Sequence, residues 1–215
     1  MSASAIKKPM LAGRCDCPES LSFPVLATPK LDGIRCLKIA GQALTRSFKP
    51  ISNTFARQWI EANLPDGVDG ELMLRGGTFN ATTSAIGRES GEPDFVFHVF
   101  DYVSEGIGVP YACRVRELER LPQWQHVEKV LPVEIKNADE LAAYEEKCVA
   151  AGGDGGRPGL RGVLPRASRN PEAGKNQVSP GLLLHAQEPR VPDPDGSAVH
   201  RALRILPLHA LHDLR

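Results

Sequence analysis

The sequence has no aromatic residue after Tyr144, so all twelve Phe, Tyr and Trp fall in its first two-thirds. Large aromatic side chains supply much of a core's buried area, and their loss weakens the case for a packed unit over the last 64 residues. No apolar run approaches the roughly 20 residues needed to span a bilayer, which excludes a helical membrane protein. No apolar stretch follows Lys7 and Lys8, so a secretory signal is not expected. Neither sign of charge dominates: basic and acidic residues number 26 each. Any contact with a nucleic acid must then come from a local patch. Cysteine is scarce and odd in number, with Cys15, Cys17, Cys36, Cys113 and Cys148, which predicts reduced thiols. Cys15 and Cys17 are too close for paired zinc ligands, and no second pair follows at zinc-site spacing. No internal repeat is present.

The length of 215 residues predicts one domain with at most a small appendage. Composition shifts sharply after Ala151. The last 64 residues hold nine Gly and eight Pro, and nine basic residues (eight of them Arg) against six acidic ones. That composition approaches low complexity. We therefore divide the chain into a body, 1–152, and a Gly/Pro/Arg-rich tail, 153–215.

The body reads as mixed α and β. Phe23 to Thr28, Ile34 to Ile39, Gly70 to Leu74 and Phe95 to Phe100 have the apolar, β-favouring content of strands. Gly41-Gln42 marks a turn before Ala43 to Phe48. Asn53 to Leu64 predicts a helix capped by Asn53, with Phe55, Trp59, Ile60 and Leu64 at helical spacing. Arg114 to Leu121 and Ala138 to Ala150 predict two more, the second capped by Asn137 or Asp139 with Leu141, Tyr144 and Cys148 on one side. Alternation along Phe95 to Tyr102 predicts that Val96, His98, Phe100 and Tyr102 share one face, with Phe95, Phe97, Val99 and Asp101 on the other.

The most informative stretch is Thr28 to Arg35 (TPKLDGIR), a lysine at a strand's end followed by an Asp-Gly turn and an arginine. A nucleophilic lysine must shed its proton, and burial, nearby cations or a metal each favour that. Arg35 and a divalent metal would also neutralise phosphate charge. Locally, a plain surface hairpin with an Asp-Gly turn fits equally well.

Lys30 to Arg35 (KLDGIR) resembles the K-x-D-G-x-R motif of the covalent nucleotidyltransferases, which are ATP-dependent DNA ligases, RNA ligases and mRNA-capping guanylyltransferases. Thr45 to Pro50 (TRSFKP) resembles the second ligase motif. Asp69-Gly70-Glu71 resembles the third, and Phe97 to Tyr102 (FHVFDY) the next. Pro9 to Ala12, Gly77 to Asn80 and Thr83 to Ala85 are similar to the small DNA ligases of viruses and bacteriophages. The motifs run in order over about 9–152. The resemblance implies an α+β fold, namely a nucleotidyltransferase (adenylation) domain of the ATP-grasp-like DNA ligase type. It would have antiparallel sheets and flanking helices, be incomplete at its C-terminal end, and lack an OB-fold.

The resemblance also implies roles. Lys30 would attack the α-phosphate of ATP, giving lysine–AMP; AMP would pass to the 5′-phosphate at a nick, and the 3′-hydroxyl would displace it. Thr28, Lys30, Arg35, Glu71 and Phe100 would bind nucleotide, Phe100 by stacking on adenine. Thr45, Arg46 and Phe79 would contact phosphate or DNA. Glu71 and Asp154 would be the metal candidates, for Mg2+ or Mn2+. The implied partner is nicked double-stranded DNA, met by a monomer in a bacterial or phage-infected cytosol during replication, repair or recombination. Read from the strand alone, Phe100 is a core residue, and His98 is a satisfied strand residue rather than a catalyst.

Two later motifs of the family are not intact. The strand glutamate expected after Cys148 falls on Gly152 to Arg157 (GGDGGR), leaving Asp154 as its sole acidic candidate, or on Gly159 to Arg166 (GLRGVLPR), where Arg161 takes its place. Gly181 to Gln187 (GLLLHAQ) has His185 and Gln187 where two lysines should hold triphosphate. One cause, a change of reading frame near Gly152, would account for both losses and for the altered composition. A divergent tail that binds DNA through its arginines is the competing account. The sequence thus predicts a DNA ligase with impaired sealing. An RNA ligase or guanylyltransferase, and a non-catalytic binder of nucleotide or nicked DNA, are the alternatives.

Overall fold

A computed structural model describes Pro9 and residues 21–106, 108–152 and 160–164, the last five as backbone only. Its elements, in chain order, are β1 (Val25–Leu31), β2 (Ile34–Ile39), β3 (Gln42–Thr45), α1 (Thr54–Asn63), β4 (Val68–Leu74), α2 (Phe79–Gly87), β5 (Phe95–Tyr102), α3 (Tyr111–Arg120), β6 (Val127–Lys129), β7 (Val133–Ile135), α4 (Ala138–Gly152) and β8 (Leu160–Leu164). They form a five-stranded sheet, β3-β2-β4-β5-β6, and a three-stranded one, β7-β1-β8. Among the described residues no helix is long and apolar enough to cross a membrane.

The longer strands form over runs rich in β-favouring residues, β4 and β5 being buried almost throughout, and each helix is held by identifiable end groups. Asn53 Oδ1 accepts the Ala56 N–H at 2.9 Å and caps α1 as its sequence predicts. At the other end Lys38, buried on β2, donates to the Glu61 and Leu64 carbonyls at 2.7 and 2.5 Å. An ammonium there meets the negative end of the helix dipole and satisfies orphan carbonyls. Lys129 does the same for α3, donating to the carbonyls of Glu119 and Leu121. Asn137, not Asp139, caps α4, accepting the Glu140 N–H at 2.8 Å.

The main core lies on one face of the large sheet. Cys36, Val68, Leu72, Phe95, Phe97 and Val99 pack there against Ala56 and Ile60 of α1, Leu64 just after it, and Ile86 of α2. Phe95 is its aromatic hub, with the ring centroid of Trp59 at 5.8 Å edge-on and that of His126 stacked at 4.7 Å. Such a residue contributes about 1.5–3 kcal/mol by burial alone. Gly70 is dictated by this packing, because a Cβ there would lie 2.3 Å from the His98 carbonyl oxygen.

The structure departs from the sequence reading in four places. One pair of strands, β5 and β6, is parallel. The reason is the α3 crossover between them, which returns the chain in the same direction. Helix α2 was not foreseen, since Thr82 and Thr83 weaken helical propensity; Thr78 Oγ1 caps it by accepting the Ala81 N–H. The three-residue strands β6 and β7 are too short to give a periodic signal. The alternation along β5 also breaks near its end. Gly70 pairs with Val99 but Asp69 with Asp101, so Phe100 is an extra residue and the ladder is bulged. The bulge brings Asp101 opposite Asp69, on the side that also carries Phe100, and not with Phe97 and Val99 as strict alternation predicts.

Of the two registers weighed for the chain after α4, the second forms a strand, β8, antiparallel to β1. Pro29 pairs with Val163 and Leu31 with Leu160, so Arg161 and Gly162 together stand opposite Lys30.

Candidate active site

The face of the large sheet opposite the aromatic core is polar at its centre. Arg35 on β2, Glu71 on β4, His98 on β5 and Glu128 on β6 are paired in one row across four strands. Directly paired residues share a face. Two residues along β4 from Glu71, Asp69 receives Arg35 in a two-pronged ion pair, Nε to Oδ1 at 2.5 Å and Nη2 to Oδ2 at 2.6 Å. The Arg35 guanidinium also stands 4.6 Å from the centroid of the Phe100 ring. Arg35, Glu71 and Phe100, chosen from sequence, are thus brought together, and Asp69 fixes the first of them.

Lys30 and Thr28 lie on β1, in the other sheet, Thr28 buried and Lys30 half-buried. The turn after Lys30 links the sheets. A Cβ on Gly33 would lie 2.3 Å from the Leu72 carbonyl oxygen and 2.9 Å from Glu71 Cγ. Only a residue without a side chain lets the turn press onto β4 there. This is a close-approach requirement, stronger than the turn preference read from Asp-Gly. It sets the stretch that begins with Lys30 against the strand that carries Glu71.

Thr45 ends the edge strand β3, paired with Cys36 beside Arg35, and Arg46 follows it. Thr45 Oγ1 accepts the Lys49 N–H at 3.2 Å, and the Thr45 N–H donates to the Lys49 carbonyl at 2.7 Å. Phe48 closes the turn at φ 57° and packs on Leu37, Ile39, Leu44 and Val103. A non-glycine residue held at positive φ signals a turn fixed by its surroundings. The anchored Phe48 leaves Arg46 exposed. Phe79, at the start of α2, is 42% exposed. Asp154 lies outside the described residues.

Burial by itself would lower the pKa of Arg35, yet the charge and hydrogen bonds of Asp69, with Glu71 and Asp101 adding, leave it raised. Arg35 is a permanent cation. The Cys36 thiol is pushed well above its usual range by burial, then by Asp69 and Glu71, and is therefore not a nucleophile. Among the described residues Cys36, Cys113 and Cys148 are free thiols. Among the described residues no three His, Cys, Asp or Glu side chains gather as a metal cluster. A Mg2+ or Mn2+ ion needs oxygen donors, often only one or two carboxylates plus substrate phosphates. Glu71 fits that demand as a single ligand.

His98 is buried, with Nδ1 3.4 Å from Glu128 Oε2. Burial lowers its pKa below 6.5; Glu128 opposes this and Arg75 adds to it. The folded state therefore binds fewer protons than the unfolded one just below pH 6.5, and stability falls as pH drops through that window. His98→Gln is expected to flatten this part of the profile, as urea unfolding from about pH 5 to 8 would show. An unchanged slope would mean that another group titrates.

Sequence reasoning missed Asp101, Arg114 and Tyr111. Asp101 is fully buried and bonded to Arg114 of α3, Nε to Oδ1 at 2.8 Å and Nη2 to Oδ2 at 3.1 Å. The Phe-Asp pair was visible in sequence, but its partner thirteen residues on becomes one only when α3 packs against β5.

No protein-family model and no curated protein matches the chain. Solved structures do. A Chlorella virus DNA ligase-adenylate has 34% identity and a TM-score of 0.70, over 84% of this chain and 67% of that one. A second structure of the Chlorella virus DNA ligase-adenylate gives 32% and 0.69, over 85% and 69%. A Lig E DNA ligase, at 23% identity and a TM-score of 0.57, covers 74% of this chain and 61% of its own, and shares the fold. With the ordered motifs, the adenylation-domain fold and an identity of 34% over most of its length, the chain belongs to the ATP-dependent DNA ligases.

Proposed function

We propose that the protein joins nicked double-stranded DNA through lysine–AMP and DNA–adenylate intermediates. The observation that carries this reading is the Gly33 contact, which seats the turn after Lys30 against Glu71 and beside the fixed Arg35. The Chlorella virus structures are ligase-adenylates, which supports it further.

In this reading the Lys30 amine, once deprotonated, forms a bond to the α-phosphorus of ATP as the bond to pyrophosphate breaks. A 5′-phosphate oxygen at the nick then takes AMP from Lys30. The 3′-hydroxyl finally attacks the phosphorus of that 5′-phosphate, forming the phosphodiester as the bond to AMP breaks. Each step is in-line phosphoryl transfer, so placement and charge neutralisation supply most of the acceleration. Arg35, held by Asp69, offers a cation of fixed direction to phosphate. Glu71 accepts hydrogen bonds from ribose hydroxyls or holds Mg2+ or Mn2+, which would offset phosphate charge there. Phe100 offers its ring to adenine. Phe100 is only 2% exposed, so nucleotide entry must open the ring face away from Arg35, which stays paired with Asp69. Arg46 and Phe79, both exposed, contact DNA. The reading implies a monomer acting in the cytosol.

Incubation with labelled ATP and magnesium is expected to give an adduct that survives denaturation, and GTP is expected to label far less. Equal labelling by GTP would favour a guanylyltransferase. Glu71→Ala is expected to impair labelling more than His98→Ala; the reverse order would count against both roles. Sealing of nicked duplex is expected to be weak or absent, because His185 and Gln187 stand where two lysines would hold triphosphate. Sealing at ordinary enzyme rates would overturn that account of 153–215. Translating the other two frames past Gly152 tests its origin: a frame change requires one of them to supply a Glu-Gly strand and a Lys-x-Lys strand.

A further inference from the structure

One buried group of charges has no part in the reaction as derived. Asp101 is 0% and Arg114 2% exposed, and they are joined by two hydrogen bonds. Removing such a pair from water is expensive, and an apolar pair of similar volume often serves stability as well or better. What the pair does here is complete the bulge of β5. At the bulge the ladder is interrupted, and its polar groups need other partners. Asp101 Oδ1 accepts the Tyr102 N–H at 2.8 Å, and the Phe100 carbonyl accepts the Tyr111 hydroxyl at 3.1 Å. The Arg114 guanidinium lies 5.4 Å from the Tyr111 ring centroid and also donates to the Val109 carbonyl, tying the approach to α3 to the end of β5.

Asp101 also faces Asp69 across the ladder. Two carboxylates side by side need two cations, and Arg114 supplies the second, leaving Arg35 to Asp69 and to its place over Phe100. We propose that Asp101, Arg114 and Tyr111 are positioning residues that clamp the β5 bulge, so that Phe100 and Arg35 keep the mutual placement a purine nucleotide requires. This rests on the adenylation reading given above.

Two variants of the full chain test it. Tyr111→Phe removes one hydroxyl and keeps the ring. The double variant Asp101→Leu/Arg114→Met removes both charges and strands neither. Single-turnover labelling by ATP is expected to show half-saturation raised about fivefold in Tyr111→Phe, the weight of one hydrogen bond. The double variant is expected to raise it at least about tenfold. The maximal labelling rate should stay within about threefold of wild type, since Lys30 is untouched. Amide exchange at Phe100 to Tyr102 should quicken in both. Should the double variant fail to fold, Tyr111→Phe decides alone. Wild-type half-saturation in a folded variant, or unchanged exchange at those amides, overturns the clamp while wild-type labelling leaves the adenylation reading standing. A wild type that takes no label from ATP overturns that reading, and the clamp as a nucleotide device with it.

Discussion

Lys30→Ala is expected to abolish the covalent AMP adduct, lowering labelling by at least about a thousandfold, to the floor of the assay. The expectation follows from chemistry before structure. Phosphoramidate formation needs a nitrogen with a free electron pair, and alanine offers none at that position. Lys30→Arg sharpens the test, because it keeps the positive charge but replaces the amine with a guanidinium that does not deprotonate. Mass spectrometry of the denatured protein after incubation with ATP and magnesium would check the result. A mutant that labels as well as wild type would show that the nucleophile lies elsewhere.

Asp69→Ala is expected to have the largest effect on stability. Arg35 is only 12% exposed at its side chain and rests on the paired oxygens of Asp69. Removing the carboxylate strands a buried cation, which costs about 3–5 kcal/mol. In a domain of this size that is a fall in melting temperature of roughly 6–20 °C. Asp101, opposite Asp69 in the ladder, is already taken by Arg114 and can relieve little of this. Urea unfolding with a constant m-value would measure the loss. A change under about 1 kcal/mol would mean that Arg35 is solvated in practice, as surface pairs are, and would remove the basis for its fixed direction in the site.

Much of the site was legible because its residues sit close together in sequence or at strand ends. Lys30 and Arg35 bracket one turn, and Asp69 and Glu71 are two apart on one strand. Phe100 was legible only as a member of a motif, since its strand context says core and its burial agrees. Asp101 was assigned to the wrong face, because alternation assumes an unbroken ladder and one extra residue displaces it. Gly33 and Gly70 read as turn and motif glycines. Their controlling constraint, backbone of another strand within 3 Å of a Cβ position, has no trace in local sequence.

From the sequence alone came the lysine, its motif order, the composition break after Ala151 and the family these imply, because short-range chemistry and spacing are written directly in the chain. Tertiary structure alone decided which carboxylate restrains Arg35, where β5 bulges, and that an arginine of α3 completes it. Those outcomes depend on strands and a helix distant in sequence meeting across a sheet, and contact between them is a property of packing that no local pattern encodes.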